Sequence, residues 1–267
     1  MKCICMFGFY KPKQTLSTAL QLNRFQFAHR AYVRQLDWCA KDSAEKKSHK
    51  KWRTVESKKD TVNPNIPNKF GIIAAASNNY VIGLDGQLPW RIKEDVDYFK
   101  EITANKVLVL GRISFEESSN QAHLQHCRHI VVVSKTMTAA AAAANAGHNV
   151  HVTKSFDEAL QLAHTLTADS KNNHDHSTID CWIGGGKLLF EQALLHPSAF
   201  EVHLTKVNVD INELAYKHLA KFPAEYRWDY RFKKVSSWPG SGLGTCKLTG
   251  KSNLEYSFNV YECFRPR

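Results

Sequence analysis

No acidic residue occurs before Asp37, and no two cysteines stand at C-x-x-C spacing. No stretch approaches the roughly 20 consecutive apolar residues that a membrane-spanning helix needs. Each absence excludes something. Without a long apolar run no membrane insertion is expected, and a secretory signal fits poorly because no unbroken apolar segment follows the first lysines. The seven cysteines (Cys3, Cys5, Cys39, Cys127, Cys181, Cys246, Cys263) are odd in number and scattered, which suits a reducing compartment better than a disulfide framework. The G-x-G-x-x-G fingerprint is missing too, which disfavours an ordinary Rossmann dehydrogenase.

What is present suffices for a globular core: 267 residues, 43% hydrophobic and 23% charged. The 36 Lys and Arg against 25 Asp and Glu give a net charge of +11, but the excess is local. Residues 1–69 hold 15 basic and 5 acidic side chains, leaving 21 basic and 20 acidic residues from 70 onward. A nucleic-acid-binding domain spreads its basic residues over the folded surface, so nucleic acid is not expected as a partner of the body.

The chain therefore divides into a basic extension, 1–69, and a body, 70–267. The extension places Lys2, Lys11, Lys13, Arg24, Arg30 and Arg34 among hydroxyl and large apolar residues, with Leu16, Leu20, Phe27 and Ala31 near one helical face. This is transit-peptide composition, and mitochondrial targeting is the expectation, with a cytoplasmic protein carrying an unstructured basic tail as the alternative. The run Asn63 to Asn68, with Pro64 and Pro67, reads as a linker.

From residue 70 short apolar runs end in turns and pass into helical patterns, the signature of a sheet covered by helices. Phe70 to Ala76 is the first run; Leu84 to Trp90 reads as a loop because Asp85-Gly86 is a turn pair and Pro89 opposes a central strand. A helix is expected from about Lys93 to Thr103, with Asp95, Phe99 and Ile102 at i, i+4 and i+7, so that one carboxylate shares a face with the apolar stripe. Asp95 reads either as a first-turn acid favoured by the helix dipole or as a pocket acid beside Trp90 and Phe99, desolvated and ready to bind or protonate a nitrogen heterocycle.

Three more junctions favour anions. Val107 to Leu110 ends at Gly111 and Arg112, with a helix expected over 115–119; Ile130 to Val133 ends at Ser134 and Lys135; Ile179 to Ile183 ends at Gly184, Gly185 and Gly186, before a helix from Lys187 to Leu195. Several such turns at strand C-termini point to a nucleotide crevice. Strands are also expected over 150–152, 200–209 and 256–261, and a helix over 156–166. The run His123, His126, Cys127, His129 has metal-like spacing but lies between regular elements and reads as loop, so no metal is expected.

Together these motifs resemble dihydrofolate reductase: Ile73-Ala74-Ala75, Val81-Ile82-Gly83, Leu88-Pro89-Trp90, Asp95 with Phe99, Gly111-Arg112-x-Ser114, Arg128, Ser134-Lys135, Ile183 with the glycine triplet, and Leu204-Thr205, in family order from 70 to about 262. The resemblance implies one α/β domain around a mostly parallel eight-stranded sheet, and NADPH-dependent hydride transfer to C6 of 7,8-dihydrofolate with protonation of N5. It implies that Asp95 pairs with the pterin edge, supported by Thr205, near Trp90 and with Leu88 on a closing loop. Ile73, Ala75, Val96, Phe99 and Ile183 would contact the substrate, and Arg128 its glutamate carboxylate. Ala75, Ile82, Gly83, Gly111, Arg112, Ser114, Ser134, Lys135, Gly184, Gly185, Gly186 and Lys187 would hold NADPH. Either Leu189 or Phe190 would take the aromatic position beside the nicotinamide. No thymidylate synthase segment follows, so a monofunctional enzyme is expected, acting as a monomer on a small molecule. The alternatives are a same-fold reductase of another pterin or pyrimidine, and a reductase-like component of an organellar assembly that contacts RNA through its extension.

Overall fold

The computed structural model describes residues 69–117, 124–139, 149–168, 179–224, 228–247, 250 and 252–264. The extension through residue 68, the alanine-rich run from 140, the polar segment 169–178 and His123 lie outside the described residues.

The elements in order are β1 (Phe70–Ser77), β2 (Val81–Leu84), β3 (Trp90–Ile92), α1 (Lys93–Thr103), β4 (Val107–Gly111), α2 (Arg112–Glu117), β5 (His129–Val133), β6 (Val150–Thr153), α3 (Phe156–Ala168), β7 (Cys181–Gly185), α4 (Lys187–Leu195), β8 (Ala199–Val207), β9 (Leu219–Lys221), β10 (Phe232–Pro239), β11 (Gly244–Cys246), β12 (Ser252–Leu254) and β13 (Tyr256–Cys263). The main sheet has eight strands in the order β10-β13-β8-β1-β7-β4-β5-β6. Its six strands from β8 to β6 run parallel, whereas β13 is antiparallel to β8 and β10 to β13. Two small sheets, β12-β11-β3 and β2-β9, flank it.

The sequence explains this layering. A strand buried on both faces needs apolar residues without alternation, and β1 and β4, at the centre, have them: Phe70, Ile72, Val107, Leu108 and Val109 are fully buried. Helix α3 is opened by Ser155, whose Oγ accepts from Glu158 N at 3.2 Å while the Glu158 carboxylate accepts from Lys154 N at 2.9 Å. Its Ala159, Leu160 and Ala163 join Phe70, Val131 and Phe190 in the principal core.

Several boundaries differ from the sequence expectations. Strand β7 begins at Cys181 and runs through Gly184 and Gly185, because Gly185 pairs with Leu110 of β4 and extends the ladder past the apolar run. Helix α2 starts at Arg112, directly on Gly111, and not at 115. Leu84 and Trp90 are strand termini, so the loop is 85–89; Trp90 pairs with Cys246 of β11. Strand β10 was not foreseen: Lys233, Lys234, Ser236 and Ser237 interrupt its apolar pattern, as a solvated edge strand allows.

Gly71 illustrates how tightly the sheet is packed. A Cβ there would stand 2.4 Å from the Trp182 ring of the neighbouring β7. Gly71→Ala should cost about 1–3 kcal/mol through overpacking, read as a lower urea midpoint with unchanged slope; a midpoint equal to the parent's would contradict this packing.

Candidate active site

A cleft of about 880 Å³, counting its open mouth, lies at the C-terminal ends of β1, β7 and β4. Open α/β sheets place ligands at such ends, where neighbouring strands send their connections in different directions. Helix α1 forms one wall. Its first turn holds two consecutive carboxylates in different settings. Glu94 accepts from Ser241 N at 2.9 Å, Gly242 N at 3.0 Å and the Tyr256 hydroxyl at 2.6 Å, and so ties the loop before β11 to the helix. Asp95 points the other way, into the cleft.

The Asp95 carboxyl is pushed up from 3.8 to about 6 by burial, against the opposing effect of a hydrogen bond from Thr205. Thr205 is itself buried on β8, in register with Ala75 of β1. One turn further along α1, the Tyr98 hydroxyl meets His203 Nδ1 at 2.5 Å, and His203 Nε2 lies 2.7 Å from the buried Glu201. His203 and Thr205 are two apart on a strand and share a face. Asp95 and Tyr98, three apart on the helix, dock on that face, which fixes the rotation of α1 and the direction of the carboxylate.

Two glycine-bearing turns form the opposite side. Gly185 has φ +132, a conformation that L side chains rarely adopt. A Cβ on Gly111 would stand 3.3 Å from Gly186 N, and one on Gly185 or Gly186 would stand 3.1 or 3.2 Å from Ser114 Oγ. The peptide Gly185-Gly186 is cis. Gly186 caps α4 without any side-chain cap hydrogen bond, so no side chain competes for the first N–H groups of that helix. Backbone donors, the helix dipole and a nearby hydroxyl suit a pyrophosphate, and this turn fits the phosphates of a dinucleotide such as NADPH.

Of the residues singled out from sequence, Asp95, Leu88, Ile73, Ala75, Val96 and Phe99 line the cleft, as do Ile82, Ser114, Gly184, Gly185 and Gly186. Val96 is 37% exposed because its side of α1 faces the cleft and not the core. Thr205 acts from behind Asp95. Ile183 corrects an expectation: it is fully buried in the principal core, since strand side chains alternate and Gly184 takes the cleft side. Trp90 is buried outside the cleft lining, and Gly83 lies in β2 beside Ala220. Gly111 stands behind Gly186.

The basic candidates Arg112, Arg128, Lys135 and Lys187 are not among the residues that line the cleft. Arg112 pairs with Glu116 at 2.6 Å along α2, and Lys187 with Glu191 at 3.6 Å along α4. Ser134 Oγ accepts from Met137 N at 2.9 Å and shapes the turn after β5, next to exposed Lys135. Arg128 precedes β5, its backbone N–H donating to Lys106 O. Sequence reading missed Ala74, Leu110, Glu117 and Leu124, all of which line the cleft. Of the two aromatic-position candidates, Phe190 reaches the cleft and Leu189 lies in the core. His126 meets Thr103 Oγ1 at 2.7 Å and His129 meets His151 at 3.3 Å; among the described residues no three potential metal ligands converge. No described helix is long and apolar enough to cross a membrane.

The site thus sets an anion-friendly turn against a desolvated acid across a cleft of an α/β sheet. The family model described as "Dihydrofolate reductase" matches residues 69–235. The bifunctional dihydrofolate reductase-thymidylate synthase of Paramecium tetraurelia is 33% identical over 141 residues, 53% of this chain and 26% of that one. That of Glycine max is 26% identical over 205 residues, 74% of this chain, so the chain spans 34% of its length. The dihydrofolate reductase of Pneumocystis carinii is 26% identical over 208 residues, 71% of this chain and 94% of that one. A solved structure, dihydrofolate reductase from Enterococcus faecalis complexed with NADP(H) and RAB-propyl, shares the fold with a TM-score of 0.54 at 24% identity, over 74% of this chain and 98% of that one. The chain belongs to the dihydrofolate reductase family.

The raised Asp95 value has a stability consequence with a definite sign. A carboxyl whose folded-state pKa exceeds its unfolded value costs the fold stability above that range, and the cost disappears as pH falls. Asp95→Asn should therefore stabilise the protein by roughly 1–3 kcal/mol at pH 8 and by almost nothing below about pH 4, measured by urea unfolding across pH. Equal effects at both pH values would contradict a desolvated carboxylate.

Proposed function

We propose that the chain reduces 7,8-dihydrofolate to tetrahydrofolate with NADPH as the hydride donor. The observation that carries this reading is Asp95, an acid with a pKa of about 6 set in an apolar cleft and braced by Thr205. A pterin presents a ring nitrogen next to an exocyclic amine, an amidine-like edge that one carboxylate can engage with two hydrogen bonds. Paired in this way, Asp95 orients the heterocycle and stabilises the positive charge that develops as the ring takes up its proton at N5. Its raised pKa keeps a proton within reach near neutrality. Val96 and Phe99 supply apolar walls for the ring, and Leu88 covers the cleft and excludes water.

NADPH, when bound, supplies the hydride that goes to C6. In this reading Gly185, Gly186 and Ser114 hold its phosphates, with the α4 N-terminus directed at them, and Ala75 and Ile82 flank it. The Arg112 guanidinium joins them by exchanging Glu116 for a phosphate. The extension, by its composition alone, directs the chain to mitochondria.

Steady-state oxidation of NADPH with dihydrofolate tests the activity; a folded protein with no turnover above background would overturn it. Asp95→Asn should lower kcat/KM by roughly tens- to a thousandfold, the worth of one preorganised electrostatic contact. Part of the loss should return at low pH, where solvent protonates N5. Near-parental kcat/KM at neutral pH would remove Asp95 from the chemistry.

A further inference from the structure

The loop 85–89 reaches the cleft through Leu88, and its backbone is tied at four places, one of them a reciprocal pair of bonds between Gln87 and Leu84 that closes the turn after β2. At one end the Asp85 N–H donates to His218 O at 2.8 Å, and at the other Pro89 O accepts from Lys247 N at 2.8 Å. Both are backbone bonds at the loop's margins. Between them the Leu88 N–H donates to a side chain, the Glu117 carboxylate at the end of α2. Glu117 also lines the cleft, which thus contains a second acid besides Asp95. A charge-assisted bond from a backbone N–H to a carboxylate is roughly twice as strong as a neutral one.

We propose that Glu117 is a positioning residue for the reduction, its carboxylate latching the Leu88 amide so that loop 85–89 stays over the cleft. The chemistry it serves rests on the function proposed above, but the latch can be read without turnover. The groups acting on Glu117 are Lys247, just after β11, which favours its anion, and the Leu88 N–H of the loop; Asp95 of α1 shares the cleft lining with it. On its own helix, Arg112 and Glu116 pair with each other. Burial nonetheless raises the Glu117 pKa above its ordinary value, more than the Leu88 N–H and Lys247 lower it. The latch therefore weakens as pH falls toward the acid range, where the charged acceptor becomes a neutral one.

The test is hydrogen exchange of the Leu88 amide in the full-length protein, corrected for intrinsic rate, in the parent, Glu117→Ala and Glu117→Gln. The Ala variant should exchange roughly tenfold faster or more, and the Gln variant, whose amide oxygen still accepts, within about threefold of the parent. Between pH 7.5 and 5 the parent should lose protection while Glu117→Gln stays flat; Asp95 is present in both, so its titration cannot produce that difference. Kinetically, a loop closed only part of the time raises KM by the inverse of the closed fraction. Glu117→Ala should thus raise KM about five- to tenfold with kcat within about twofold, and Glu117→Gln should restore it; a merely unstable variant would lose kcat at unchanged KM. Unchanged Leu88 exchange in Glu117→Ala would overturn the latch, as would parental pH dependence in Glu117→Gln if the Ala variant does not fold. Parent protein without dihydrofolate turnover would overturn the functional reading alone, because the exchange comparison stands without it.

Discussion

A carboxylate held in an apolar cleft by one buried hydroxyl is an expensive arrangement, and the rest of the site is organised around it. Thr205 can reach Asp95 only because β8 lies next to β1 in parallel register and α1 docks on the face that β8 presents. The Tyr98, His203 and Glu201 chain repeats that docking one helical turn away and leaves α1 little freedom to rotate. Glu94 holds the loop before β11 against the start of the helix, so the neighbouring acid is free to face the cleft. One interaction in the site thus depends on the order of strands in the sheet.

The same order places the glycine turn opposite. Because β7 lies between β1 and β4, its C-terminal end meets both the Asp95 side and the α2 side of the cleft. A side chain on Gly111 would press on the Gly186 backbone, and one on Gly185 or Gly186 would press on the Ser114 hydroxyl. The cleft therefore joins a desolvated acid to a backbone cradle suited to phosphates.

Much of this was legible in the sequence. Helices α1 and α4 end where their apolar periodicity ends, and the strands β1 and β4 are unbroken apolar runs that only a doubly covered sheet accommodates. Asp95 stood out because Leu88-Pro89-Trp90 precedes it and Phe99 shares its face. What the sequence did not disclose is side-chain direction. Ile183 and Gly184 are adjacent, yet only the glycine faces the cleft, and the parity of a strand cannot be set without knowing which face a partner covers. Arg112 and Lys187 read as anion ligands, but each has an acid four residues on that takes its charge along the helix. Glu117 was hidden because its role depends on a loop some 30 positions earlier.

The central claim is that Asp95 is desolvated, and its carboxyl can be titrated directly. In protein carrying carbon-13 at aspartate side chains, the Asp95 resonance, assigned by its loss in Asp95→Asn, should titrate at about 6. Replacing Thr205 by valine should move that value higher, since the hydrogen bond that favours the anion is gone. An Asp95 carboxyl that titrates at the ordinary 3.8 would contradict the account, because a solvated acid could neither hold a proton near neutrality nor gain strength from its surroundings.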